Sequence, residues 1–586
     1  MTAPQPELPP TVIDELTALF GSRRYGELEA KVKPLLDARP DSGWLWQMYG
    51  LALTGQPGRD AIAPLSHAAR LMPQNPLIHV NLGNALARAG RQAEAVERYR
   101  RALNLDSGQL DAHVNLAHCY FALNKHDEAI ASYRQALRLQ PGDAQIERHL
   151  AAAHLGSGNA LGIQGRVEAA LAHYQSALQI APTYAAAHAN LGTALRLAGR
   201  HTEARQAFVK AVELDPQLAS PLIELAEMDA ETGDFAGAER RLREAIAIAP
   251  DMPEAWAGLA YLKRISSDDS LWLNKLRTLA SRGLPPSQEA VLRFALGKSL
   301  DDMAQYDEAA THYGRANVLS RSLAAYDPAR VERTVDTFVR RYDAATLQKL
   351  RVDSVTSHRP VFVVGMVRSG TTLTEQILGA HQEAFGTGEL SFWNEVAALL
   401  HGQLDHEERL AATVRAAAAR YLELTAKLAP TAKCVIDKMP GNFMHLGLIH
   451  AALSGARVIH MTRDPRDNAL SIYFQRFKTQ HSYGADLKDI AHFHAQYQRL
   501  MGHWSQVLPA EVLLAVPYEG LVNDPEHWTR RMLQFIGLEW DPRCLNFEGG
   551  IGTVRTASNW QVRQGLQSGS IGRWRHYPHL FESQAN

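Results

Sequence analysis

The sequence predicts two architectures in tandem: an α-helical solenoid of repeated helix pairs, followed by an α/β domain with a mainly parallel sheet. Three observations carry this. Small, aromatic and proline positions recur at a fixed period through the first half. A β-branched run, Val361 to Val364, passes through a glycine turn into an apolar-periodic helix from Leu373 to Leu378. Beyond it, strand-like and helix-like segments alternate, the pattern of a sheet covered on both faces.

The period is read from the residues that close each unit: Pro73, Ser107, Pro141, Pro182, Pro216 and Pro250, at steps of 34, 34, 41, 34 and 34. Ala95, Ala129, Ala170, Ala204 and Ala238 keep the same register, with Tyr99, Tyr133, Tyr174, Phe208 and Leu242 four residues beyond each. The step of 41 is one period plus seven residues, placed near His149 to Ser157. Each unit reads as two helices joined by a turn, Gly90-Arg91 or Gly199-Arg200. A helix–turn–helix unit of 34 residues with this small-aromatic-proline pattern resembles the tetratricopeptide repeat. Such units bury their faces on one another and stack into a superhelix with a concave groove.

Most of the repeated residues are structural: small ones let helices approach and aromatics fill the gap between units. Asn81, Asn115 and Asn190 stand apart, each preceding Leu-Gly or Leu-Ala. In peptide-binding arrays of the family, asparagines at this place line the groove and grip an extended backbone, so the resemblance implies a protein or peptide partner. The alternative is a series of solvated helix-surface amides, interrupted at Gly156 and Glu224.

With 586 residues the chain holds several domains, or one domain beside an array. Lys and Arg number 61 against 62 Asp and Glu, so no electrostatic footprint for nucleic acid is expected. Cys119, Cys434 and Cys544 are too few and scattered for a disulfide framework or a zinc site. The N-terminal residues lack the basic and apolar regions of a signal peptide, and no apolar run is long enough to cross a bilayer. A cytoplasmic protein without a membrane partner is expected. The boundaries read as a repeat array over 1–320, a helical connector over 321–357 carrying Arg330, Arg333, Arg340 and Arg341, and the α/β domain over 358–586.

In that domain Gly365 and Gly370 have the Gly-x-x-x-x-Gly spacing of a phosphate-binding loop, but Thr371 stands where nucleoside-triphosphatases have lysine. The loop offers backbone N–H groups and a helix N-terminus to an anion. Without the lysine, a nucleotide with fewer phosphates and no metal is expected. Val367-Arg-Ser-Gly-Thr-Thr372 resembles the 5′-phosphosulfate loop of sulfotransferases, especially the protein-tyrosine sulfotransferases. The resemblance implies 3′-phosphoadenosine 5′-phosphosulfate (PAPS) as co-substrate, held by Arg368, Ser369, Gly370, Thr371 and Thr372.

Other positions extend the match. Arg463 follows a strand at 456–462, about 90 residues after the loop, and Ser471 lies eight residues on. The family uses such a pair to clamp the nucleotide's 3′-phosphate; Asp464 and Asp467 could instead mark this run as a helix cap. The family's further arginine is replaced by Gln475, beside Arg476. Tyr518 resembles the tyrosine near the adenosine; its alternative is a half-buried strand residue. Gln561 to Arg575 resembles the loop that closes over the nucleotide, with Gly572, Arg573 and Trp574 matching its end and Ser568 or Ser570 as alternative sources of the family's serine hydroxyl.

For the chemistry, Glu389 in Thr-Gly-Glu matches the catalytic glutamate of the tyrosylprotein enzymes, and Arg368 and Lys438 match cations that stabilise charge on the sulfuryl and bridging oxygens. The alternatives are a helix-cap carboxylate, a surface arginine, and a lysine paired with Asp437 or another acid. His381 and His460 read as structural. Together the features resemble bacterial tetratricopeptide-repeat sulfotransferases. The fold class implied is an α-helical tetratricopeptide solenoid followed by an α/β P-loop-like sulfotransferase domain with a mainly parallel sheet. The activity implied is sulfuryl transfer to a hydroxyl, first of all tyrosine in a peptide bound by the repeats. The alternatives are a saccharide, lipid or small-molecule acceptor, or an inactive scaffold.

Overall fold

The computed structural model describes residues 8–322, 325–350, 354–400, 407–477, 479–547, 554, 563, 566 and 568–582, in two compact units, Met1–Pro221 and Leu222–Asn586.

The first unit is built of antiparallel helix pairs such as Pro76–Arg88 with Gln92–Leu105, Leu110–Ala122 with His126–Leu139, and Ala185–Leu197 with His201–Leu214. Each pair turns through a residue in the left-handed region, Gly90, Asn124, Gly165 or Gly199. Within a pair the small residue faces the aromatic: a Cβ on Gly83 would stand 2.7 Å from the Tyr99 ring, and one on Gly192 2.7 Å from Phe208. That close approach is why glycine and aromatic recur together. The seven extra residues lengthen one helix, Ala144–Ile163, to 20 residues where its equivalent Pro76–Arg88 has 13. Seven residues are about two helical turns, so the added length leaves the packing face in register.

The second unit opens with further helix pairs, ending in Pro286–Asp302 and Tyr306–Arg321. The helix Pro328–Arg341 follows and buries Val335 and Phe338 in the core of the α/β part. Arg499 meets Asp336 at 2.7 Å along the same packing surface.

Five parallel strands form the sheet: β1 (Pro360–Gly365), β2 (Ala384–Gly386), β3 (Cys434–Asp437), β4 (Arg457–Thr462) and β5 (Leu513–Pro517), in the order β2-β3-β1-β4-β5. The expected mainly parallel sheet is thus parallel throughout its described strands. β1 lies at the centre with all six residues buried. Phe362 and Val364 join one core cluster, while Val361 and Val363 join the other, the alternation that a two-faced buried strand requires. The order of strands changes direction at β1, which opens a crevice beyond the carboxyl ends of the strands, where α/β sheets bind their ligands. No described helix is long and apolar enough to cross a membrane.

Candidate active site

All five strands deliver a singled-out residue to that edge. From β1 the chain runs through Gly365 to Gly370 and enters the helix Thr371–Gly379, whose first residues, Thr371 and Thr372, are buried. Gly370 has φ +101°, and a Cβ there would lie 2.6 Å from the Tyr518 ring, so only glycine fits. Arg368 also adopts a positive φ, 67°, a conformation that costs a non-glycine residue energy and needs support from its surroundings. Two neighbours supply it. Arg463 Nη1 donates to the Arg368 carbonyl at 2.8 Å, and Asn468 Nδ2 to the Val367 carbonyl at 3.0 Å.

The Arg368 side chain donates from Nε to Ser471 Oγ at 3.1 Å. Burial, with the nearby charges of Arg463 and Arg573, pushes its guanidinium down to about 10. Burial likewise lowers Arg463, which stacks 4.7 Å over the Tyr518 ring. Arginines gathered under burial are suited to an anion. Ser369 Oγ and Arg463 Nε are also buried without a hydrogen-bond partner, and such atoms carry an unrelieved desolvation cost that a ligand oxygen or donor can remove. These residues therefore fit a phosphorylated group.

The C-terminal segment completes this side. Arg463 Nη2 donates to the Ser570 carbonyl at 2.9 Å, and Tyr518 Oη is 2.7 Å from Ser570 Oγ. Ser570, rather than the exposed Ser568, therefore meets Arg463 and Tyr518. The Asp467 carboxylate accepts from Gly572 N at 2.6 Å and from Trp574 N at 2.9 Å, while Arg466 lies 3.6 Å over the Trp574 ring. The two readings of the Arg463 run coexist. Asp464 caps the helix Pro465–Tyr473 by accepting from Arg466 N and Asp467 N, which leaves Arg463 and Ser471 to the loop. Gln475 contacts its neighbour's carbonyl and Arg476 is exposed. Gln561, Val562, Gln564, Gly565 and Gln567 of the loop matched in the sequence lie outside the described residues.

On the other side of β1, Lys438 is 1% exposed and its ammonium lies 2.6 Å from Glu389 Oε1. Glu375, inside the helix that follows the phosphate loop, stands 3.9 Å from the same ammonium and accepts from Gly388 N at 2.7 Å. It thereby ties the Thr387–Glu389 turn to the loop helix. Burial raises the Glu375 carboxyl, with Lys438 opposing the rise. Asp437 is not the lysine's partner: it accepts from Tyr421 Oη at 2.9 Å.

Glu375, Asn468 and Asp467 were not singled out from the sequence as site residues, since each reads as an ordinary polar residue within or opening a helix. Nor was His481, whose ring feels the Glu389 carboxylate as an influence opposing the lowering effect of burial. His381 bonds to the Glu539 carbonyl and to Glu383 N, and His460 pairs with Tyr497 Oη; both rings are occupied by the fold. In the first unit, Asn115 Nδ2 donates to Asn84 Oδ1 at 2.9 Å and Asn190 Nδ2 to Asn159 Oδ1 at 2.7 Å. The same two oxygens accept from Tyr99 and Tyr174. Asn115 and Asn190 thus belong to amide pairs that join neighbouring repeats within this unit, and Asn81 lies one turn before Asn84 on its helix.

Residues 360–542 match the model of the sulfotransferase family, and tetratricopeptide-repeat models match residues 83–124, 110–143, 149–217 and 219–244. An uncharacterized protein of Aquifex aeolicus is 31% identical over 383 residues, 61% of this chain and 48% of its own. The protein-tyrosine sulfotransferase of Drosophila melanogaster is 25% identical over 219 residues, 34% of this chain and 42% of its own. The solved sulfotransferase domain of the Synechococcus olefin synthase is 20% identical, with a TM-score of 0.29, over 40% of this chain and 96% of that domain. The chain spans about half the length of the relatives it matches. The second half of the chain accordingly carries a domain of the sulfotransferase family, joined to tetratricopeptide repeats that precede it.

Proposed function

We propose that the protein moves a sulfuryl group from PAPS to an acceptor hydroxyl, tyrosine in a protein or peptide held by the repeats. The observation that carries this reading is the placing of Arg368, Lys438 and Arg463 beyond the ends of the neighbouring strands β1, β3 and β4, with the half-exposed Glu389 carboxylate paired to Lys438.

The nucleotide supplies an activated sulfuryl group and a stable leaving phosphate. The chain's residues do the rest. The loop Arg368–Thr372 and the helix that follows it hold the 5′-side oxyanions. Arg463, Ser471 and Arg573 hold the 3′-phosphate, while Tyr518 and Ser570 border the base and Trp574 fixes the end of the C-terminal segment. A free phenol ionises near pH 10, so transfer at neutral pH needs a base. Glu389 is assigned that proton. Lys438 orients the carboxylate and, with Arg368, stabilises charge on the sulfuryl and bridging oxygens. No residue role here calls for a metal ion.

Asn81, Asn115 and Asn190 are assigned to the acceptor polypeptide. Contacts made away from the reacting hydroxyl would then help hold the phenol in place. The test supplies sulfur-labelled PAPS together with tyrosine-containing peptides, lysate protein and lysate small molecules. Label recovered as tyrosine sulfate supports the assignment. Label found only in saccharide or small molecules removes the protein acceptor and leaves the catalytic residues standing.

A further inference from the structure

The helix pair Pro286–Asp302 and Tyr306–Arg321 shares the repeats' glycine-against-aromatic contact, a Cβ on Gly297 standing 2.9 Å from the Tyr313 ring, yet its contacts lead to the anion site. Asp301, near the end of the first of these helices and with 9% of its side chain exposed, forms an ion pair with Arg573 and accepts from Tyr577 Oη at 2.5 Å. Tyr306 stacks on the His576 ring at 4.5 Å. Tyr313 stacks on Phe474 at 3.8 Å and 7°, and Asn317 Nδ2 donates to the Tyr473 carbonyl at 2.8 Å. Tyr473 and Phe474 end the helix that carries Asp467 and Ser471. One helix pair therefore grips both parts of the anion pocket that lie outside the phosphate loop.

We infer that Asp301 is a positioning residue of the donor-nucleotide site, and that this last helix pair is part of that site rather than of the acceptor-binding array. The inference rests on the donor reading of the pocket. Its physical basis is the cost of gathering cations. Arg573 lies close enough to disfavour the charges of Arg368 and Arg463, and burial opposes its own charge while the paired Asp301 carboxylate favours it, so Arg573 needs that fixed anion to remain among them before a phosphate arrives. Asp301 supplies that anion from one side, Asp467 anchors Gly572 and Trp574 on either side of the arginine, and Tyr577 orients the Asp301 carboxylate. Without Asp301 the 572–577 segment has a poorly compensated cation in a partly enclosed place, and the nucleotide must order it on binding.

The test uses the full chain and the product nucleotide 3′-phosphoadenosine 5′-phosphate as probe, by calorimetry, together with donor KM and kcat. Asp301→Asn is expected to weaken the nucleotide and raise donor KM about tenfold, the effect of one lost charge-assisted contact, while kcat changes less than twofold. Asp301→Glu should recover most of the loss, which a packing defect would not allow. Should Asp301→Asn fail to fold, Tyr577→Phe, which removes one hydrogen bond and keeps the charge pair, should weaken the nucleotide about threefold. Unchanged affinity in whichever variant is folded overturns the inference while the parent still binds. A parent that binds no nucleotide overturns the donor reading and this inference with it.

Discussion

Lys438 and Glu389 form an asymmetric pair: the ammonium is enclosed, 1% exposed, while the carboxylate 2.6 Å away keeps 43% of its side chain open. The cation is built into the fold and the anion is left to meet a ligand. A second carboxylate, Glu375, sits behind the lysine with 6% exposure.

Removing the lysine therefore strands a buried acid. Lys438→Met is expected to destabilise the protein by about 3 kcal/mol, the order found when one partner of a buried ion pair is lost. In a Glu375→Gln background the same change should cost clearly less, because the stranded charge is gone. Urea denaturation of the four proteins measures the coupling.

Arg463 acts on the loop and on the ligand together, since its Nη1 supports the strained Arg368 backbone and its Nη2 holds the C-terminal segment. Arg463→Ala should weaken product-nucleotide binding by about 30-fold or more, near 2 kcal/mol for a lost charge-assisted donor, and leave kcat at saturating donor much less affected. Ser471→Ala, which removes one neutral acceptor from Arg368, should weaken it less than tenfold. Isothermal calorimetry with 3′-phosphoadenosine 5′-phosphate separates the two.

The strands and the phosphate loop are legible in the sequence because their signals are local. Val361 to Val364 is β-branched and aromatic, Gly365 and Gly370 are turn residues, and Thr387 to Glu389 follows a short apolar run. The repeats are legible because Ala95 and Tyr99 recur in step with Ala129 and Tyr133. What escapes such reading is the partner of each charge. Asp301 and Arg573 lie 272 residues apart, and Glu375 reads as an ordinary member of an amphipathic helix until the fold places it beside Lys438. Asn468 looks like a helix residue and is instead a strut for the Val367 carbonyl. The Asn series shows the converse: its period is plain in the sequence, but the amide pairs that engage Asn115 and Asn190 depend on a second series, Asn84 and Asn159, which keeps the same 34-plus-41 step and carries no Leu-Gly or Leu-Ala after it to mark it.

Asp437 gives a pH signature. Burial raises its carboxyl to about 7, against the lowering effect of the Tyr421 hydroxyl bond, whereas an unfolded aspartate titrates near 3.9. Between those values the folded state binds more protons than the unfolded state, so this group's contribution to stability falls as pH rises through that window. The stability of the parent relative to Asp437→Asn should therefore drop by up to a few kcal/mol between about pH 4.5 and 7.5. Denaturant titrations of both proteins across that range measure it. A difference that stays flat would mean that the carboxyl is ionised in the folded state throughout.

The central claim is sulfuryl transfer from PAPS with Glu389 as the base, and the most direct measurement is transfer of sulfur-35 from the donor by the parent and by Glu389→Gln, with product-nucleotide affinity determined for both. The account predicts label transfer by the parent, a loss of at least about 100-fold in turnover for Glu389→Gln, the scale of general-base catalysis, and nucleotide affinities within about threefold of each other. Transfer by Glu389→Gln at the parent's rate would contradict the assignment of the base, and a parent that binds the nucleotide but labels no acceptor would contradict the activity itself.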